Sequence, residues 1–131
     1  MTIQINGANG LTFPDTSSQA VASKVLQVVT FSYSTQVSTT SSSWTSTGLS
    51  ASITPKFSTS KIYLATHHGT YTSGGYTAYR TIFRNATNLG DATYGFNESA
   101  NGWYTNSIVY LDSPGTTSAI SYQVYFRTSN S

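Results

Sequence analysis

Apolar and polar residues alternate along several stretches of this chain, and the most regular stretch is 119–127. Four large apolar residues of this stretch share one parity: Ile120, Tyr122, Val124 and Phe126. The intervening positions carry serine, glutamine, tyrosine and arginine side chains. A period of two places these two sets on opposite faces of a β-strand. The pattern therefore predicts a strand whose apolar face packs on a core.

The same period, at shorter length, predicts most of the remaining elements. The predicted strands are 25–33, 49–53, 61–66, 79–84 and 103–111, with a weaker short strand around 93–96. In 79–84 the pattern sets Tyr79 and Phe83 opposite Arg80, Ile82 and Arg84. No window shows a sustained helical period, and the sequence contains no internal repeat.

Turn-forming residues separate the predicted strands. Pro55 cannot donate to a β-ladder, and Ser113-Pro114-Gly115 has the composition of a turn. The glycine-containing stretch 67–77 is predicted to be a long, mobile loop. Seven or eight short strands at this spacing are typical of an antiparallel β-sandwich of the jelly-roll type.

The first 23 residues differ from the rest of the chain. They carry closely spaced turn signals, including Asn6-Gly7, and have few apolar residues for a core of their own. We expect 1–23 to be an extended N-terminal arm that becomes ordered against a neighbouring protein, and 24–131 to form the β-sandwich domain. The arm residues that we predict to contact the partner are Ile3, Ile5, Leu11 and Phe13.

The composition agrees with an all-β chain and excludes several classes of function. Serine and threonine each occur 22 times, whereas charged residues make up only 8% and the net charge is +2. So weak a charge gives no footprint for nucleic acid, and the low repulsion tolerates close self-association. There is no cysteine, no signal-peptide pattern at the start and no apolar run long enough for a bilayer. We therefore expect synthesis in a reducing cytoplasm.

The side chains that carry chemistry are few and scattered. Adjacent residues of a strand point to opposite faces, so His67 and His68 are not expected to share a metal ion. The four acidic residues have neither metal-ligand spacing nor the paired placement of glycosidases, and no nucleophile or nucleotide motif occurs. We predict no catalytic residue, no metal and no cofactor, and hence a protein that is not an enzyme.

An aromatic stretch within 67–77 has two possible uses. Tyr71 and Tyr76 flank Thr72-Ser73-Gly74-Gly75. Tyrosine faces can stack on the apolar faces of sugar rings, and loops on a β scaffold often carry binding sites. The alternative is that the two tyrosines contact a neighbouring subunit. The sequence does not decide between sugar binding and subunit contact.

Several short strings of the chain form a recognisable pattern. The strings are 47–55 (TGLSASITP), 58–62 (STSKI), 24–29 (KVLQVV), Tyr79-Arg80 and Phe83-Arg84, together with the opening segments 5–7 (ING) and 10–16 (GLTFPDT). The pattern resembles small bacteriophage virion structural proteins and the C-terminal domains of phage tail fibres. The resemblance covers most of the chain, but its strings mark strand edges and turns and no catalytic site.

This resemblance implies a trimeric β-sandwich on the exterior of a phage particle, made in the host cytoplasm. The chain shows neither a long shaft nor a tail-attachment domain, which favours a capsid decoration, or cement, protein. Such a protein would bind the major capsid protein through its arm and stabilise the capsid. The alternative is a short tail fibre or fibre tip that binds a host surface glycan. Neither nucleic acid nor membrane is expected as a partner.

Overall fold

The computed structural model describes residues 25–129 in full, and it describes the backbone of three short strands before them. These strands are β1 (Gln4–Asn6), β2 (Gly10–Thr12) and β3 (Ser18–Gln19). They pair antiparallel in the order β1-β2-β3. The predicted arm thus contains a small antiparallel sheet, formed by strands that the turn signals separate.

Seven further strands build two antiparallel sheets. The larger sheet contains β4 (Thr45–Ile53), β6 (Ala78–Arg84), β7 (Thr87–Asn88), β8 (Asn97–Ser99) and β10 (Ile120–Thr128). Its order is β4-β10-β6-β7, and β8 pairs with the other end of β6. The smaller sheet consists of β5 (Ile62–Thr72) and β9 (Gly102–Asp112), which pair along eleven residues.

The core lies where the two sheets face each other. Ile62 of β5 and Ile108 of β9 pack in one cluster with buried residues of the larger sheet, which are Ile82, Ile120, Tyr122 and Val124. Alternate residues of β10 enter this cluster, as the sequence pattern predicts. The fold is therefore an all-β antiparallel sandwich, and the predicted fold class is confirmed.

Residues 39–44, before β4, are tied to the far end of β10. The amide of Thr128 donates to the carbonyl of Ser41 at 2.9 Å, and Arg127 Nη1 donates to the carbonyl of Ser42 at 2.8 Å. The guanidinium of Arg127 also lies over the ring of Trp44, 5.3 Å from its centroid. These contacts fix the point at which the preceding segment joins the sandwich.

Three of the sequence-based predictions are wrong in placement. Residues 25–33 form no strand, because no described strand pairs with them. Residues 67–72 belong to β5 and not to a loop, because the eleven-residue ladder with β9 continues through Gly69; the turn is 73–77. The stretch 93–96 is a turn in which Gly95 has φ +67°, and the short strand follows it as β8.

Candidate functional site

The most unusual surface of the described chain is the segment 25–38. All fourteen of its side chains are exposed, including Val25 at 80% and Val28 at 76%. The large apolar members are Val25, Leu26, Val28, Val29, Phe31, Tyr33 and Val37. Apolar residues this numerous and contiguous in sequence are rarely left in water by a monomeric protein. We call 25–38 the exposed segment.

The exposed segment lies beside the sandwich. The ring of Tyr33 covers Gly48 of β4 so closely that a Cβ on Gly48 would be 2.7 Å from the ring. A groove of about 1300 Å³ is lined by residues 29–33 and 35–40 on one side and by parts of β4 and β5 on the other. This space runs beside β5, which among the described strands pairs with β9 alone.

The side of the β5–β9 sheet that faces away from the core is a second exposed surface. Five cross-strand pairs form it, and we call it the outer face: Tyr63–Leu111, Ala65–Val109, His67–Ser107, Gly69–Thr105 and Tyr71–Trp103. All ten residues are exposed. One end of the outer face is aliphatic and aromatic, its middle is polar, and its other end is purely aromatic.

Tyr71 and Trp103 form the aromatic end. Their ring centroids are 4.7 Å apart and their planes are inclined by 36°, while Trp103 is 80% exposed. Tyr76 lies in the 73–77 turn, with its ring over Gly74. Sequence reasoning identified Tyr71 and Tyr76 but missed Trp103, which becomes a neighbour of Tyr71 only through the ladder register. Trp103 was detectable only as a large apolar residue at a strand start.

The core-facing side of the β5–β9 sheet is polar over half of its length, and Arg80 occupies this part. Arg80 is 1% exposed. Its Nε donates to Thr70 Oγ1 at 2.9 Å, and its two Nη groups donate to Asn97 Oδ1, to Ser99 Oγ and to the Ala78 carbonyl. None of these acceptors carries a charge, and burial lowers the pKa of Arg80 to about 10.

His68 lies in the same polar layer, while His67 points outward to Ser107 at 3.1 Å. Neither ring nitrogen of His68 has a hydrogen-bond partner, although both are shielded from solvent. Burial, followed by the charges of Arg80 and His67, lowers the pKa of His68 to about 4. His68 is therefore neutral at pH 7, and the predicted opposite orientation of the two histidines is confirmed.

An ion pair lies at the end of the core that is opposite to Arg80 and His68. Arg84 Nη1 lies 2.9 and 3.0 Å from the two carboxylate oxygens of Asp112, and the hydroxyl of Tyr122 donates to Asp112 Oδ2 at 2.6 Å. Burial and this hydrogen bond raise the pKa of Tyr122. The group joins β6, β9 and β10, so its role is to hold the two sheets together.

The predicted arm contacts are only partly within the described residues. Ile5 and Leu11 are Cα partners in the β1–β2 ladder. Ile3 and Phe13 lie outside the described residues. Their predicted role in binding a partner therefore stays a prediction.

Two further observations concern metals and membranes. Among the residues that the structure describes, no three His, Asp or Glu side chains are placed to share a metal ion. The same residues include no helix of the length and hydropathy that crossing a bilayer requires.

Comparison with family models, with curated proteins and with solved structures gives no match to this chain. The geometry of its surfaces is therefore the basis for a functional proposal.

Proposed function

We propose that this protein is a non-enzymatic structural protein of a bacteriophage particle, which self-associates and decorates the capsid exterior. The observation that carries the proposal is the exposed segment, since seven large apolar side chains face water there in the single chain. Covering such a surface is favourable by roughly 25 cal/mol for each Å² removed from water. Assembly with other chains is the simplest way to cover it.

The charge distribution is suited to tight packing between subunits. The segment 25–38 contains no charged residue, and the outer face contains no Asp, Glu, Lys or Arg. Two copies therefore approach without the repulsion or the desolvation cost that buried charges impose. Hydroxyl groups keep the remaining surface hydrated. We propose a homotrimer as the assembled form, on the basis of the sequence resemblance.

The attachment to the capsid is assigned to the N-terminal arm. All the core residues that the structure describes lie on strands that follow Trp44. In this proposal the arm binds the major capsid protein, and the sandwich remains outside. Deleting 1–23 is then expected to leave a folded oligomer that no longer binds capsids.

The test measures co-sedimentation of full-length and truncated protein with capsids that lack the decoration. Circular dichroism checks that the truncated protein is folded. Loss of binding by the truncated protein supports the proposal. Undiminished binding without the arm would contradict its anchoring role.

A second candidate function rests on the Tyr71–Trp103 pair. Two exposed, adjacent aromatic rings at one end of a rigid sheet form a platform on which a sugar ring can stack. In that case the protein is a short fibre or fibre tip that binds a host surface glycan. Trp103→Ala is then expected to reduce adsorption to host cells, while the matched control Tyr63→Ala, at the other end of the outer face, leaves it unchanged.

The copy number of the protein in purified particles separates the two candidates. A decoration protein occurs in proportion to the capsid subunits, whereas a fibre tip occurs only in the few copies that the tail holds. Quantitative mass spectrometry against the major capsid protein gives this ratio. A low ratio would contradict the capsid proposal.

A further inference from the structure

The residues 25–33 have the sequence of a β-strand but lack a partner strand. Val25, Val29 and Phe31 share one parity, and valine, threonine and aromatic residues are favoured in strands. Among residues 25–129, no strand pairs with this stretch, and every one of its side chains is exposed. A strand acquires its stability from backbone pairing and from covering one face. This stretch has neither in the single chain.

The β5 strand offers an edge of matching chemistry. In the described fold it pairs with β9 on one side, and its other side is open along the Ile62–Thr72 strand. Proteins usually protect such an edge with lysine, proline or other charged residues. β5 contains no proline and no Asp, Glu, Lys or Arg. The edge therefore carries no proline and no acidic or basic side chain of the kind that opposes strand addition.

The groove connects these two elements. Its walls include residues 29–33 of the exposed segment and residues 63–72 of β5, but only Trp103 of β9. The groove thus places the segment beside two open edges of the described fold, those of β4 and β5. The smaller sheet has two strands and faces a five-stranded sheet, so an added strand would extend the side that is incomplete.

The area to be covered points to a second copy of this chain. The seven large apolar side chains of the exposed segment leave on the order of 600 Å² in water, close to the ~800 Å² per partner of a standard interface. In the single chain, Tyr33 rests on Gly48 of β4 and the stretch before it stays unpaired. A cyclic exchange, in which each copy donates its segment to the next copy of the trimer, would bury this area in every subunit.

We propose that residues 25–33 of one copy add as a β-strand to the open edge of β5 in a neighbouring copy. This inference rests on the self-association in the proposed function and names its mechanism. Such strand addition combines main-chain hydrogen bonds with alternate side chains entering the groove. It closes the open edge and covers the exposed segment in a single step.

Because the chain contains no cysteine, single-cysteine variants give a direct test. One protein carries Val29→Cys, and a second, longer by an affinity tag, carries Ala65→Cys, His67→Cys or Gly69→Cys on β5. The two are unfolded together, refolded and oxidised. We expect a disulfide-linked heterodimer on a non-reducing gel for at least one β5 position. Val109→Cys on β9, the ladder partner of Ala65, is the control that should not cross-link to Val29→Cys.

Proline variants test the role of the backbone. Adjacent amides of a strand point to opposite sides, so either Gln27→Pro or Val28→Pro must remove a hydrogen bond to β5. We expect one of the two to weaken association by about tenfold, the effect of one lost hydrogen bond at an interface. Gln27→Thr and Val28→Thr retain the amide and serve as controls. Light scattering over a dilution series measures association, and circular dichroism checks the fold.

The outcomes separate the inference from the function on which it rests. A wild-type protein that is monomeric at high concentration would contradict both. An oligomer that neither proline variant weakens, and in which no β5 cysteine cross-links between chains, would overturn strand addition and leave self-association standing. A further variant carries Val29→Cys and a β5 cysteine in the same chain. A disulfide that forms only within that chain would show pairing with its own β5 and would also overturn the proposal.

Discussion

Gly95 lies directly against the backbone of Arg80. A Cβ on Gly95 would be 2.2 Å from the carbonyl oxygen of Arg80, the oxygen that accepts a hydrogen bond from the amide of Phe96 at 2.7 Å. The φ of Gly95 is +67°. The turn 91–95 can therefore approach β6 only because this residue has no side chain.

This relationship predicts that Gly95→Ala destabilises the sandwich by at least about 3 kcal/mol, since the methyl group meets backbone that cannot yield. Gly115 is the matched control. Its φ is +68° and nothing lies within 4 Å of the position of its Cβ, so Gly115→Ala should cost only about 1 kcal/mol of backbone strain. Denaturant unfolding of both variants gives the difference. Equal losses would contradict the steric explanation.

A second prediction concerns Thr72, whose hydroxyl is buried without a hydrogen-bond partner. Valine has nearly the same shape and removes that polar group, so Thr72→Val should raise the free energy of unfolding by about 1 kcal/mol. Thr81 is equally buried, but its hydroxyl donates to Asn88 Oδ1. Thr81→Val should therefore lower the free energy of unfolding by about 1 kcal/mol. Thermal unfolding of the two variants tests this opposite sign.

A third prediction concerns the Arg84–Asp112 ion pair. Asp112→Asn removes the charge that balances Arg84 and weakens the acceptor of the Tyr122 hydroxyl. We expect a loss of about 2–3 kcal/mol, because the partly buried Arg84 is left uncompensated. Glu98→Gln removes an acidic charge from an exposed position and should change the stability by less than about 0.5 kcal/mol. A similar loss in both variants would point to net charge and not to the pair.

A fourth prediction follows from His68, whose pKa is about 4 in the folded chain and 6.5 in the reference state. The folded state then binds fewer protons than the unfolded state between these values. The contribution of neutral His68 to the free energy of unfolding is therefore fully present above pH 6.5 and is lost as the pH falls towards 4. After allowance for solvent screening, the loss is about 2 kcal/mol at pH 4.5. His68→Asn should flatten this part of the profile. Denaturant unfolding from pH 4.5 to 7.5 measures the slope.

The sequence by itself determined the strands whose alternation is long and regular. In β10 the positions of Ile120, Tyr122 and Val124 decide which face is buried, because a pleated strand turns every second side chain the same way. The pattern of β6 placed Arg80 and Ile82 on one face, but only the structure shows that this face is buried. Periodicity could show neither that Arg80 points inward nor that its acceptors include neutral groups from β5 and β8.

The tertiary structure decided what depends on pairing between distant residues. Residues 67–72 have the composition of a loop but form a strand, because β9 supplies eleven residues of ladder. Residues 25–33 have the composition of a strand but pair with no strand that the structure describes, because alternation fixes faces and does not supply a partner. Tyr71 and Trp103 become neighbours only through the register of that ladder. Local pattern thus set the faces of the strands, and non-local hydrogen bonding decided which strands form and which side chains meet.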